Sequence, residues 1–287
     1  MGGRLMSAAQ VAELRAMLAR RPAGLPVAAR RAGFEAMAAA IPLPGDFRDE
    51  VVTIGGVPAR WVWTDGVRDT ATLLWLHGGA FSVGSSASYR AFGARPSRAS
   101  GCRVLLPDYR LVPEYPFPAA LDDTLAVLDA IKGPVAIGGD SVGGNLAAAA
   151  ARARPGRAQA AWLISPYLDL THAHVGCDRA ARDPFVPIDE MPATAAAYAA
   201  DPADPRASPA FGSVDRFPPT LIQVGSDEVL FGDARAFADR LRGAGHAPVF
   251  QEWVDMIHVW PFFAHMIDEG GHAIDQGGAF VRGHLQG

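Results

Sequence analysis

The chain has 287 residues, 49% of them apolar and 20% charged; that suffices to bury the core of one large α/β domain and excludes a chain disordered overall. Its 26 basic and 30 acidic side chains leave a formal charge of −4, which argues against nucleic acid as a partner, because that binding needs a basic face to release counterions. Lys132 is the single lysine, an imbalance read as coding bias, and two cysteines, Cys102 and Cys177, without CxxC spacing make no disulfide framework.

The first residues, Met1 to Ser7, show no positive stretch followed by an apolar run, and Met6 stands where a myristoylation motif wants Ser or Thr. No stretch reaches the roughly 18 apolar residues of a membrane span, so a cytoplasmic location is expected. Ser7 with Gln10 reads as a capping box that starts a helix carrying Val11, Leu14, Met17 and Leu18 at helical spacing. A second helix is expected over Ala28 to Ala40, ending at Pro42. Val51 to Ile54 and Val57 to Trp63 flank Gly55-Gly56 and predict a hairpin. Short apolar strands then alternate with helices. The strands are Leu73 to Leu76, Arg103 to Leu106, Val135 to Ile137, Ala160 to Ile164, Thr220 to Val224 and Val249 to Trp253. The helices are Leu121 to Ile131, Val142 to Arg154 and Phe231 to Arg242, with helical stretches around Pro261 to Ile267 and His272 to Leu285. Such alternation predicts an α/β fold with a mainly parallel sheet covered on both faces. Residues 172–210, with Asp183-Pro184, Asp201-Pro202, Asp204-Pro205, Ser208-Pro209 and a helical patch near Met191, are too long for an ordinary connection and read as an insertion above the sheet.

The chemistry centres on Gly139-Asp140-Ser141-Val142-Gly143, a G-x-S-x-G between an apolar strand and an Ala-rich helix. A serine on so tight a turn is lifted above the sheet edge, and side chains two residues either side would collide with strand and helix, hence the glycines. Neither G-x-G-x-x-G nor a phosphate-loop ending occurs, which disfavours a nucleotide. His77-Gly78-Gly79-Ala80-Phe81 directly follows a strand, and its small residues let backbone N–H groups converge on an oxyanion. His77 is expected to hold that loop rather than to act as a base. Serine needs an imidazole to take its proton and a carboxylate to orient the imidazole. His258 lies in the loop after the last strand, whereas His172, His174, His246, His265, His272 and His284 are placed worse. Asp227 follows the strand ending at Val224 and is the expected acid; Glu228 and Asp233 compete with it. His172-Ala173-His174 near Asp169 lacks the further ligands of a zinc site, and no metal is expected.

Five segments taken together, His77-Gly78-Gly79, the run from Asp108 to Asp123, Gly139 to Gly144, Gly225 to Leu230 and Met256 to Trp260, resemble the bacterial hormone-sensitive-lipase-like esterases of the α/β-hydrolase superfamily over about residues 46–287. The Asp227 and His258 segments look most like the branch that includes monoterpene ε-lactone hydrolases and small acyl esterases. The resemblance implies an α/β-hydrolase fold with an eight-stranded sheet, a core of residues 46–171 and 211–287, and a helical cap of residues 1–45 and 172–210. It implies Ser141 as nucleophile, His258 as base, Asp227 as acid, and the N–H groups of Gly79, Ala80 and Val142 as oxyanion donors. Ala80 departs from the family's third glycine and pays a steric cost if its φ is positive; Val142 stands where Ala is commoner. Phe81, Phe185 and Met191, with Phe34, Met37 and Tyr198, are the expected apolar lining for short-to-medium acyl chains. A cofactor-free carboxylic ester hydrolase acting on a small ester follows, with lactone hydrolysis and non-catalytic ligand binding as alternatives, and a homodimer left open.

Overall fold

The computed structural model describes residues 2–285. Strands β1 (Phe47–Ile54) and β2 (Val57–Thr64) pair antiparallel from Phe47↔Thr64 to Ile54↔Val57. Gly55 and Gly56 close them at φ +59° and +81°, the two positive values that a two-residue turn of this hand requires. The remaining strands are β3 (Arg68–Leu76), β4 (Cys102–Pro107), β5 (Val135–Asp140), β6 (Ala160–Ile164), β7 (Thr220–Gly225) and β8 (Val249–Trp253). The sheet order is β1-β2-β4-β3-β5-β6-β7-β8, with β1, β2 and β4 joined antiparallel and every pair from β4 to β8 parallel. β5, β6 and β7 are buried along their whole length, as strands covered on both faces must be.

The N-terminal helices are α1 (Gly2–Leu18) and α2 (Val27–Ala39), followed by α3 (Arg90–Ser100), α4 (Ala119–Ala130) and α5 (Val142–Ala153). After these come α6 (Met191–Tyr198), α7 (Phe231–Gly243) and α8 (Asp268–Leu285). One core, with Leu128, Leu146, Leu163 and Phe237, lies under α4, α5 and α7. The other, with Trp75, Phe92, Trp162, Trp260 and Ile274, lies under α3 and α8. Because the strands from β3 to β8 run the same way, the loops after β3, β5, β6, β7 and β8 all emerge at one edge, where α/β sheets place their sites.

Three local expectations change. Helix α1 already begins at Gly2, so Ser7 lies inside it and does not start it. Helix α3 is absent from the sequence reading, because Gly93, Pro96, Ser97 and Ser100 spell a loop; these small residues are buried and let the helix pack closely on β2 and α8. The stretch after Val259 is a short 3-10 turn, Trp260–Phe263, not an α-helix. Segment 172–210 contains α6 and three further 3-10 turns. Among the described residues no helix is long and apolar enough to cross a membrane.

Candidate active site

Ser141 is the last residue before α5 and has φ +54°, ψ −121°, a conformation L-residues avoid at a cost of about 1–3 kcal/mol. The surroundings impose it. The Ser141 N–H donates to Ile164 O at 3.0 Å, and its carbonyl accepts from the N–H groups of Tyr167 (3.0 Å) and Asn145 (3.2 Å). A Cβ on Gly139 would stand 2.4 Å from the Gly143 carbonyl, and one on Gly143 2.0 Å from Leu76 O. Only glycine fits on either side of the turn, as the G-x-S-x-G spacing requires. Asn145, with no exposed surface, donates to Tyr167 O (2.9 Å) and Ala207 O (2.8 Å) and fixes the loop after β6 beside the elbow.

A continuous set of bonds leads from the elbow to the imidazole. Ile164, bonded to Ser141, precedes Ser165, whose Oγ accepts from Val259 N at 3.0 Å and donates to Glu228 Oε1 at 2.9 Å. Glu228 Oε1 also accepts from Gly225 N, and its Oε2 accepts from His258 Nδ1 at 2.8 Å. Glu228 has no exposed surface and His258 only 4%. Burial by itself would lower the His258 pKa. The hydrogen bond and charge of Glu228, with Asp183 and Asp140 behind it, outweigh burial and hold the pKa above the ordinary imidazole value. A carboxylate on Nδ1 leaves Nε2 as the nitrogen that can take a proton. Ser141 is half-buried, and its hydroxyl makes no protein hydrogen bond among the described residues.

The expectation that Asp227 orients the imidazole is corrected by this geometry: the partner is Glu228. Gly225 to Glu228 form a tight turn in which successive side chains leave in different directions. Asp227 N is tied to Met256 O (3.1 Å), and its carboxylate turns outward to Arg15 Nη2 at 2.6 Å and Arg182 Nη1 at 3.5 Å. Glu228, one residue later and one methylene longer, points into the core. Asp233, the other competitor, lies away from the imidazole; its Oδ2 accepts from the N–H groups of Leu168 and Asp169, and burial raises its pKa to about 7.

The loop after β3 holds Gly79, Ala80 and Phe81 in succession at φ +121°, +53° and +55°. Ala80 therefore does take the conformation its missing glycine would favour. The N–H groups of Gly79, Ala80 and Val142 donate to no protein group among the described residues. Gly79 O accepts from Ser82 N and Val83 N, both at 3.0 Å, which closes the loop on itself. Beneath it His77 stacks on Tyr109 with ring centroids 4.3 Å apart, and Tyr109 Oη donates to His77 O at 2.6 Å. Burial pushes the His77 pKa down to about 4, so a neutral, buried ring holds the loop. The 108–123 run braces the same place: Val112 N donates to Phe81 O at 2.9 Å, and Arg110 grips Asp123. Asp140 links loop and elbow. Its Oδ2 accepts from Tyr89 Oη at 2.6 Å, Tyr89 Oη accepts from Gly78 N at 3.0 Å, and Trp75 Nε1 donates to Oδ1 at 3.1 Å. Burial raises the Asp140 pKa to about 6.

A strained serine, an imidazole backed by a buried carboxylate and a loop whose Gly79 and Ala80 amides donate to no protein group among the described residues all lie on loops at the edge where the parallel strands end. The family model for the alpha/beta hydrolase fold matches residues 73–262, which span all of them. The chain belongs to the alpha/beta hydrolase family. An acetyl-hydrolase of Streptomyces hygroscopicus is 40% identical to this hydrolase over 252 residues, 83% of each chain. The esterase LipU of Mycobacterium tuberculosis is 32% identical over 262 residues, 85% of this chain and 86% of its own. The crystal structure of an esterase from the bacterial hormone-sensitive lipase family superposes with a TM-score of 0.92 at 35% identity, covering 96% of this chain and 98% of that one. With such relatives this hydrolase is a carboxylic ester hydrolase of the bacterial hormone-sensitive-lipase type.

The apolar residues expected to line the hydrolase's pocket divide. Phe185 is half-buried with its ring centroid 6.0 Å from that of His258. Phe81 is 1% exposed, stacked on Tyr198 at 3.6 Å, and Met191 is buried in the same core, so both pack rather than face a cleft. Phe34 stacks between Tyr89 and Phe262. His172 bonds Tyr167 through Nε2. Sequence reasoning missed Ser165, Tyr89 and Asp183. Asp183 is buried, its pKa raised by burial to about 6, and it accepts from Phe185 N (3.2 Å) and Val229 N (3.4 Å), joining segment 172–210 to the turn that carries Glu228. A lone Ser or Tyr far away in sequence carries no signal, and Asp183 stands among other charged residues, Asp178, Arg179 and Arg182, that give it none.

Proposed function

We propose that this esterase cleaves small, short-to-medium acyl esters through an acyl-enzyme on Ser141, with His258 as general base and Glu228 as the carboxylate that orients it. The hydroxyl attacks the ester carbonyl while Nε2 of His258 takes its proton. The tetrahedral oxyanion is met by the N–H groups of Gly79, Ala80 and Val142. The imidazolium returns its proton to the leaving alcohol, the acyl group stays on Ser141, and water activated by the same imidazole then releases the acid. Helices α1 and α2 with residues 172–210 act as the cap, and Phe185 beside the imidazole bounds the acyl chain. The observation that carries the reading is the 2.8 Å bond from His258 Nδ1 to a carboxylate with no exposed surface, on the loop next to a serine held in strained conformation.

A cyclic ester presents the same carbonyl to the same atoms, so the ε-lactone hydrolase branch belongs in the test. Purified protein is assayed on p-nitrophenyl acetate through palmitate and on several lactones, with Ser141→Ala as control. The expected result is turnover that peaks at short or medium chains and falls at least ~10³-fold in Ser141→Ala. Turnover that survives the substitution would overturn the mechanism, and inertness of both proteins on every ester and lactone would leave a ligand-binding homologue. Faster lactone than open-ester turnover would move the activity to the lactone branch.

A further inference from the structure

Three arginines of the N-terminal region face the two sides of the site, and they are not alike. Arg31 is neutralised by Glu114 in a two-pronged pair (2.9 and 2.7 Å) and donates to Ser82 O and Val112 O. It is a structural bolt. Arg30 and Arg21 have no carboxylate within ion-pair distance among the described residues. Arg30 Nη2 donates to Ser82 Oγ at 3.1 Å, three residues after Gly79. Arg21 lies over the Phe185 ring, its guanidinium carbon 4.8 Å from the centroid, and Nη1 donates to Phe185 O at 3.4 Å. The same ring stands 6.0 Å from the His258 imidazole. One guanidinium is thus placed beside the loop of Gly79 and the other beside the ring next to the imidazole.

The two charges feel each other. Burial first, and then the charge of Arg30, lower the pKa of Arg21, with the charge of Glu190 opposing. Yet the Arg21 side chain remains exposed to solvent. Arg21 is thus packed against Phe185 on one side and open to solvent on the other. Like charges that feel each other repel, and an anion bound beside them offsets that repulsion. A guanidinium with free donors is also the side chain best suited to a carboxylate.

We propose that Arg21 and Arg30 recognise an anionic group on the substrate, so that the preferred esters carry a carboxylate a short spacer away from the scissile carbonyl. This rests on the ester-hydrolase reading above and adds the substrate class to it. Neutral esters satisfy the apolar wall of Phe185 but leave both guanidinium groups unpaired; a hemiester of a dicarboxylic acid satisfies both.

The test compares length-matched pairs by acid release in a pH-stat. Monoethyl adipate against ethyl hexanoate places the carboxylate on the acyl side, and 4-acetoxybutanoate against butyl acetate places it on the alcohol side. In the wild type the ratio of kcat/KM, anionic over neutral, is expected to exceed about 10 in one of the two pairs, which also shows the side that faces the arginines. Arg21→Gln combined with Arg30→Gln lowers that ratio at least ~10-fold, mainly through KM, and Arg21→Lys keeps part of it. Arg21→Glu drives the ratio below 1. Added salt lowers the ratio in the wild type. If the double variant does not fold, Arg21→Gln alone, where the side-chain hydrogen bond lost among the described residues is the one to Phe185 O, gives the same reading with a smaller drop. A wild-type ratio of 1 or less in both pairs, or a ratio that the substitutions leave unmoved, would overturn the proposal while turnover of the neutral esters keeps the esterase reading intact. Failure on neutral and anionic esters alike would strike the esterase reading itself.

Discussion

The sheet edge and the layer above it are held by different physics. At the edge, Ser141, Ser165, Glu228 and His258 are fixed by backbone bonds and contacts that admit no extra atom; a Cβ on Gly143 would stand 2.0 Å from Leu76 O. Above it, the N-terminal helices and residues 172–210 reach the site through arginines. Arg15 and Arg182 grip Asp227, Arg179 Nε donates to Ser226 O at 3.0 Å, and Arg21 lies on Phe185. Packed backbone holds atoms to a few tenths of an ångström, whereas side-chain ion pairs on a half-exposed surface tolerate movement and weaken with salt. The difference suits an enzyme whose reacting atoms must stay put while the layer above admits substrate.

The two adjacent carboxylates Asp227 and Glu228 give the sharpest way to break this contrast. Glu228→Ala should lower kcat by about 10³–10⁴-fold, because the imidazole loses both its orientation and the charge that stabilises its cation. Asp227→Asn should change kcat by less than ~10-fold; steady-state kinetics with p-nitrophenyl butyrate decides, and the opposite ranking would return the acid's role to Asp227. The pH profile sharpens the point. The proposed reaction needs neutral imidazole at His258, whose pKa is raised above 6.5 by Glu228 and its neighbours against burial, so kcat/KM should fall as pH drops through a midpoint above 6.5. In Glu228→Gln that midpoint moves down, since burial then acts with less opposition.

A smaller effect is expected from Gly143→Ala, which adds one carbon at the elbow. The clash with Leu76 O cannot be relieved by rotating a side chain, so stability to urea should fall by about 3 kcal/mol. An unchanged midpoint would show that the elbow is looser than its contacts indicate. Smallest of all, Arg15→Ala should cost about 1 kcal/mol or less in urea, because the Arg15 side chain of the pair is 26% exposed. Its signature lies elsewhere: proteolysis within residues 1–45 should quicken, and the difference from wild type should shrink in 0.5 M salt. Insensitivity to salt would mean that packing of Leu14 and Leu18, not charge, holds α1 in place.

Much of this was legible in the residues. The Gly55-Gly56 hairpin, the parallel strands, the Ser141 elbow and the placing of His258 after the last strand depend on short-range rules: turn chemistry, apolar runs and glycine at points of contact. Helix α3 was not legible, because it is built of small residues whose reason for burial is a distant partner, α8. Nor was the choice of acid. Asp227 and Glu228 are equally carboxylates at the end of β7, and proximity to the strand end does not tell which one points inward.

By itself, then, the sequence determined the α/β-hydrolase fold, the strained turn of Ser141 and the chain order of the loops at the sheet edge, because local sterics and hydrophobic periodicity act over a few residues. The tertiary structure alone decided that Glu228 faces His258 while Asp227 faces Arg15, that Ser165 and Tyr89 tie the loops together, and that Arg21 and Arg30 stand near those loops with no carboxylate partner among the described residues. Those outcomes depend on the directions in which side chains leave separate loops and helices, and direction is set by the bonds between them, which no single segment contains.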